Sequence, residues 1–250
     1  ATTELTVSFI FLFIGLDVTK QPAAERDDRG HNTWIYPTTQ YTKMEMAIEA
    51  DPTPWSQPMP MFVASGSAKD GGWSKSFGDG KKTVVVLSQC PWQWVKQWAH
   101  LDHATREKDP GYRAFKERTK EVLIQDGLRK VPCHPFPTPP GFEPSPSHLL
   151  WTCVSPTQRT WCAACQVFPK LEPYIVHTSV GTPLTTNNFL GTSRGECYGR
   201  SATPGRWLCP DLSPYTPVTN LLLTGQDVVT LGLTGGIASK VLKNFRETAS

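Results

Sequence analysis

The feature that most constrains this chain is a proline-rich stretch near its middle. Residues 132–156 hold eight prolines in 25 positions, mixed with glycine, serine and threonine. Proline has a fixed φ and no backbone N–H, so neither a helix interior nor a central strand tolerates this density. Compact domains seldom contain such long connections without secondary structure. We therefore expect two structured parts, separated over residues 132–166 by an insertion that is disordered or an artefact of the gene model. A genuine lineage-specific loop is the alternative.

The first structured part, residues 1–131, is predicted to be rich in strands and to end in helices. The run Val7–Ile14 is almost wholly apolar, which is typical of a strand covered on both faces. The other predicted strands and helices come from apolar periodicity and turn residues. They are strands at 32–36, 61–64 and 83–87, with glycine turns between the last two, and helices at 40–49, 92–98 and 112–130, the last with Pro110 in its first turn.

The charge balance, the length of the apolar run and the cysteine spacing argue against several classes of protein. Lys and Arg number 25 against 22 Asp and Glu, and no basic block is present, so nothing indicates a nucleic-acid partner. The apolar run Val7–Leu16 is ten residues long, whereas a membrane-spanning helix needs about 20, and no basic leader precedes it. Seven cysteines without regular spacing do not resemble a disulfide framework.

The second part contains the stretch with the most chemical information, Asn220–Ser239. It reads as a short buried strand over Asn220–Leu223, a glycine turn, an acid, a second glycine-rich turn and a helix over 235–246. Gly225 would let the backbone approach a ligand, and Asp227 can accept hydrogen bonds from sugar or ribityl hydroxyls. A glycine-rich helix start would present free N–H groups to phosphate oxygens or to a reduced flavin. The alternative is an ordinary strand-to-helix turn with a surface Asp.

Several motifs in this sequence together resemble one flavoprotein family. Leu223-Thr-Gly-Gln-Asp227, followed by Gly232-Leu233, resembles the closing flavin-binding motif of the retinol saturases, which are relatives of phytoene desaturases and carotenoid isomerases. Other stretches resemble family segments and follow the family's order. These stretches are Ser67–Asp70 with Trp73, Trp92–Trp98, Thr182–Thr185, Arg194–Gly199 and Thr216–Gly225. The resemblance extends over residues 5–131 and 167–250.

The resemblance implies an α/β fold of the FAD-binding flavoprotein type. Residues 1–131 would form part of a substrate domain with a mixed sheet and helices, and residues 167–250 would return to the FAD domain through its closing strand and helix. The implied cofactor is FAD, and the implied activity is reduction of a polyene double bond, as in the 13,14 reduction of retinol. No catalytic residue is assigned. The implied flavin contacts are Gly225, Asp227, Gly232, Leu233, Thr234, Gly235 and Gly236, and the implied substrate contacts are Arg194 and Tyr198.

The sequence departs from this family in one important respect. No Gly-x-Gly-x-x-Gly turn follows any predicted strand, and in the family that turn holds the pyrophosphate. We therefore expect little independent affinity for FAD. Two alternatives remain: a carotenoid isomerase that uses flavin without net reduction, and a non-catalytic fragment that binds an apolar ligand or partner. The resemblance also implies peripheral association with the endoplasmic reticulum membrane or location in a plastid.

Some single features permit other interpretations. Cys162 and Cys165 form one clean pair, but a structural zinc site usually needs two, so we expect no metal. His100 and His103 are predicted to lie at a solvated helix end. For Arg194, an ion pair with Glu196 or Asp211 is as reasonable as a ligand contact. Tyr198 is predicted to be a core residue more readily than a proton donor, and the tryptophans of 92–98 are predicted to pack in the core.

Overall fold

The computed structural model describes residues 5–22, 30–129, 171–219, 221–228, 230–232 and 234. The chain divides into two compact units, Ile10–Thr182 and Ala1–Phe9 with Pro183–Ser250. The described part of the chain contains both helices and strands, and the expected α/β class is confirmed. The insertion expected at 132–166 and the helix expected at 235–246 lie outside the described residues, and so do the domain boundaries expected at 131 and 167.

The larger unit is built on a five-stranded sheet in the order β2-β3-β4-β1-β5. Its strands are β1 (Phe9–Asp17), β2 (Thr33–Ile35), β3 (Met61–Ala64), β4 (Lys81–Gln89) and β5 (Ile175–Gly181). The pairs β1–β5, β2–β3 and β3–β4 are antiparallel. The Val18 N–H donates to the Gly80 carbonyl at 2.8 Å, so the end of β1 meets the start of β4. The mixed sheet that we expected is therefore wrong, and the sheet is antiparallel.

The two faces of this sheet differ in burial. In β1, Ile10, Leu12 and Ile14 are buried, whereas Phe13 on the opposite face is 49% exposed. The expectation of a strand covered on both faces is therefore wrong, although its position is right. An antiparallel sheet can leave one face open because its hairpin connections do not require helices on both sides.

Helices pack on the buried side, and most occur where the apolar periodicity predicts them. The longest, α5 (Pro110–Ile124), starts with Asp109, whose carboxylate accepts from the Tyr112 N–H, and has Pro110 in its first turn. A short π-helical segment, Gln125–Arg129, extends this helix. The other helices of this unit are α1 (Tyr41–Ala50), α2 (Trp73–Phe77), α3 (Trp92–Val95) and α4 (His103–Arg106). Of these, α2 and α4 were not predicted, and the glycine-flanked sequence of α2 was interpreted as turns.

The smaller unit is mostly irregular in its described part. It contains α6 (Pro183–Leu190) and α7 (Pro204–Trp207). A one-turn 3-10 helix follows at Pro210–Leu212. Isolated bridges join Leu5 to Arg200, Ser8 to Glu196 and Tyr215 to Leu222.

The short buried strand expected at Asn220–Leu223 is wrong for its described residues. Leu221 and Leu223 are half-exposed, and Leu222 makes only the single bridge to Tyr215. The hydroxyl of Thr216 donates to the Leu221 carbonyl at 2.8 Å, and the Leu223 N–H donates to the Pro214 carbonyl at 2.8 Å. These local contacts occupy the Leu221 carbonyl and the Leu223 N–H, which a neighbouring strand would otherwise need for pairing.

Candidate functional site

Two of the segments that carry the family resemblance meet in the smaller unit. The carboxylate of Asp227 accepts a hydrogen bond from the Arg200 N–H at 2.7 Å. Gly199, the preceding residue, has a φ of +64°, and a Cβ there would lie 2.6 Å from Asp227 Oδ2. Only glycine avoids both the strained backbone and the collision. The Gly199–Arg200 turn and the Asp227 turn are therefore shaped for each other.

A buried arginine joins these two turns. The Arg206 side chain on α7 is only 2% exposed. Its guanidinium donates to the Gln226 carbonyl at 2.7 Å and also to the Arg200 carbonyl, and it lies 3.7 Å from Asp227 Oδ1. A planar guanidinium has five donors, so it can bind two carbonyls and a carboxylate at once. Sequence analysis did not single out Arg206, and no motif or spacing in the sequence would have identified it.

Asp227 is held in place but stays accessible. Its side chain is 46% exposed, and its Oδ2 has no hydrogen bond within the part of the chain that the structure describes. The residue lines a cavity of about 210 Å³, together with Trp207, Cys209 and Ser213. Pockets for drug-sized ligands span about 300–1,000 Å³. The cavity can therefore enclose part of a large ligand, with Asp227 as an acceptor for a hydroxyl or amide donor.

The turn before Asp227 is open to approach. Gly225 has a φ of +135°, and a Cβ there would meet no atom within 4 Å. This geometry permits the close backbone approach that the sequence predicts, although the contact itself stays a prediction. Thr234 is exposed. Leu233, Gly235 and Gly236 lie outside the described residues.

Tyr198 lies at the edge of this site. Its ring would be 3.5 Å from a Cβ on Gly232, and the side chain is half-exposed. The core position that we expected for Tyr198 is therefore wrong. Thr6 holds this segment, since its N–H and hydroxyl both donate to the Gly199 carbonyl, at 2.9 and 3.0 Å. The Thr6 oxygen also accepts from the Tyr198 N–H at 3.2 Å.

Arg194 does not form the ion pair that was considered for it. The buried carboxylate of Glu196 accepts from the backbone N–H groups of Ser193 and Arg194, at 3.0 and 2.7 Å. The Arg194 guanidinium is exposed, and the described residues offer it no hydrogen bond or ion pair. Glu196 therefore stabilises the loop through backbone N–H groups rather than through the Arg194 side chain.

The remaining candidates from the sequence are tryptophans, histidines and cysteines. Trp94 is buried and donates to the Asp51 carbonyl at 3.0 Å, which confirms the expected core packing for this residue. Trp92 and Trp98 are only partly buried, and Trp98 donates to Asp109 at 2.9 Å. His100 is exposed, and the described residues contain no group of three or more potential metal ligands. The pair Cys162 and Cys165 lies outside the described residues. The described helices include none that is long and apolar enough to cross a membrane.

The larger unit has a second feature of interest, the open face of its sheet. Trp34, Phe62 and Leu87 lie opposite one another on β2, β3 and β4. The Trp34 and Phe62 rings meet edge to face with centroids 4.7 Å apart. On β1, Phe11 and Phe13 stack at 6.0 Å. We call these five residues the aromatic face. Trp34 and Phe13 are about half-exposed, and Phe11, Phe62 and Leu87 are partly buried.

Comparisons with known proteins agree on one kind of enzyme. The chain is similar to the all-trans-retinol 13,14-reductases of Danio rerio (26% identical over 92% of the chain), Rattus norvegicus (26% over 94%) and Homo sapiens (27% over 73%). The expected resemblance to retinol saturases is thereby confirmed. The matched part is 32%, 32% and 24% of these relatives, so the chain spans at most about a third of their length. No protein-family model matches the chain.

Proposed function

We propose that this chain provides part of an FAD-dependent oxidoreductase that reduces a double bond of a retinoid. The observation that carries the proposal is the meeting of the two family-like segments at Asp227, a residue that lines a cavity. The similarity to retinol reductases over most of the chain supports the same reaction. The similar proteins are named as reductases, which favours reduction over the cis–trans isomerisation that was considered from the sequence.

The residues present fit one side of a flavin nucleotide. Asp227 offers a carboxylate oxygen for a polyol hydroxyl, and the open turn at Gly225 lets a ligand approach the backbone. Gly232 and the positions after it, through Gly236, would complete the contact. The cavity is too small to enclose a dinucleotide, so we propose that these residues hold part of the cofactor and that other residues hold the remainder.

When bound, the flavin would supply the redox chemistry, and the protein would supply position and electrostatics. The aromatic face supports an apolar polyene as the substrate, because its flat rings match an extended conjugated chain. Arg194 and Tyr198, in the smaller unit, stay predicted substrate contacts, which substitutions at each can test separately from the aromatic face. An apolar substrate also makes peripheral binding to the endoplasmic reticulum membrane a reasonable proposal, which a vesicle co-flotation assay would test.

The first experiment is a spectroscopic one on the complete gene product that carries this sequence. We expect a flavin absorption spectrum at near-equal stoichiometry and, with a reductant, conversion of all-trans-retinol to a product heavier by two hydrogens. An unchanged product mass with altered geometry would favour isomerisation. A folded but colourless protein that binds retinol without converting it would replace this proposal with the non-catalytic one.

A pair of matched variants tests the site itself. Asp227→Asn keeps the size of the side chain but removes the charge, and we expect FAD affinity to fall about ten-fold. Asp79→Asn makes the same change in an exposed turn of the larger unit and should leave affinity unchanged. Equal effects of the two substitutions would show that Asp227 does not contact the cofactor.

A further inference from the structure

Arg206 is a buried cation whose hydrogen bonds within the described residues go to the proposed cofactor turn and to the turn packed against it. It bonds the carbonyls of Arg200 and Gln226 and lies 3.7 Å from Asp227. A buried charge is expensive unless its donors are satisfied. The two carbonyls and the nearby carboxylate offset the cost of burying this cation.

The two carboxylate oxygens of Asp227 have different surroundings. Oδ1 is used twice, by the Arg200 N–H at 2.7 Å and by the nearby guanidinium. Oδ2 has no hydrogen bond within the described residues, and the side chain remains 46% exposed beside the cavity. One oxygen is thus occupied by the protein, and the other is left for a ligand.

We propose that Arg206 is the positioning residue of the cofactor site. By joining the Arg200 and Gln226 carbonyls, it fixes the distance between the two turns and presents Asp227 Oδ2 to a ligand hydroxyl. Arg206 also lines the cavity, but its donors are directed at the two carbonyls and at Asp227, so it acts on a bound ligand through Asp227. The inference rests on the proposed function for the identity of the ligand, whereas the clamp between the two turns can be tested without any ligand.

The first test measures amide hydrogen exchange on this chain without flavin. Arg206→Met removes the donors, and the amides of Arg200 and Val228 should exchange about ten-fold faster, because both depend on the clamped turns. Arg106→Met is the matched control, since Arg106 is equally buried but lies in the larger unit. It should lower thermal stability without changing exchange at these two amides. Unchanged exchange in Arg206→Met would overturn the proposal.

The second test measures FAD affinity in the complete gene product. We expect Arg206→Met to weaken binding about ten-fold, and Arg206→Lys to recover part of the loss, because an ammonium keeps the charge but cannot bridge two carbonyls. In an Asp227→Asn background, Arg206→Met should add little, since Arg206 acts through Asp227. Fully additive losses would contradict this role.

The outcomes separate this inference from the proposed function. If the parent protein binds no flavin but exchange responds as expected, the clamp stands and the cofactor assignment fails. If the parent binds flavin and Arg206→Met binds it equally well, the positioning role fails and the cofactor assignment stands. Should Arg206→Met not fold, Arg206→Lys allows the same exchange and affinity comparison with Arg106→Lys.

Discussion

A Cβ atom on Gly199 would lie 2.6 Å from Oδ2 of Asp227 and nearer still to Oδ1. The two residues belong to segments almost thirty positions apart, and the fit between them leaves no space for a side chain. Because the Gly199 φ is also positive, at +64°, any substitution there combines backbone strain with a collision.

We therefore expect Gly199→Ala to destabilise the smaller unit by about 3 kcal/mol and to weaken FAD binding in the complete protein. Gly191→Ala is the control, because Gly191 has a similar φ of +68° but no atom within 4 Å of a built Cβ. It should cost only the backbone strain, about 1 kcal/mol. Chemical denaturation of both variants gives the difference, and equal losses would show that the collision is relieved by movement of Asp227.

Neighbouring residues of β1 should separate stability from ligand binding. Leu12 is fully buried, so Leu12→Ala should cost about 2–5 kcal/mol. Phe13 is 49% exposed on the aromatic face, so Phe13→Ala should cost about 1 kcal/mol yet weaken retinol binding. Urea unfolding and quenching of tryptophan fluorescence by retinol measure the two effects. Unaltered retinol binding in Phe13→Ala would remove the aromatic face from the substrate site.

The buried hydrogen bond between Tyr112 and Thr182 joins α5 to the residue that follows β5. The two oxygens are 2.6 Å apart, and Tyr112 has no exposed surface. Tyr112→Phe should lower the free energy of unfolding by about 1–2 kcal/mol, since the bond is lost away from water. Tyr36→Phe, at a half-exposed tyrosine, should change it by less than about 0.5 kcal/mol. Similar values for both variants would mean that the hydroxyl pair contributes nothing to stability.

Cys90 should be unreactive while the protein is folded. Complete burial raises the pKa of its thiol well above the ordinary value, so almost no thiolate forms at pH 8. Peptide mapping after brief iodoacetamide treatment should find Cys209, which lines the cavity, alkylated before Cys90. Modification of both at the same rate would indicate that the larger unit opens readily.

The same shift makes stability depend on pH in a defined direction. Because the pKa of Cys90 is raised in the folded protein, its thiol does not lower the free energy of unfolding below the ordinary thiol pKa of about 8.5. As the pH rises above that value, the unfolded chain loses a proton that the folded chain keeps, and stability falls. Cys90→Ala should flatten the decline between pH 8 and 10, which denaturant titrations at each pH would measure. A decline as steep as in the parent would assign the effect to other groups.

Much of the larger unit could be predicted from its sequence. The positions of β1, β3, β4, α1 and α5 follow from local apolar periodicity and from turn and capping residues, which act over a few positions. The covering of the second face of β1 and the antiparallel pairing could not be predicted in this way. Both depend on which distant strands come together, and the Phe9–Phe13 run reads the same whether its aromatic face is open or covered.

The candidate site, too, could be predicted from the sequence only in part. Gly225 and Asp227 could be identified because a glycine turn beside an acid has a recognisable pattern. The sequence alone determined the glycine positions, the proline-rich interruption and the resemblance to retinol saturases. Only the tertiary structure decided that Asp227 is held by Arg200 and Arg206, that Tyr198 is half-exposed and that Leu221 and Leu223 do not form a buried strand. The reason is physical: a side chain's hydrogen-bond partners and burial depend on segments far away in the chain, whereas turn and helix preferences depend on neighbouring residues.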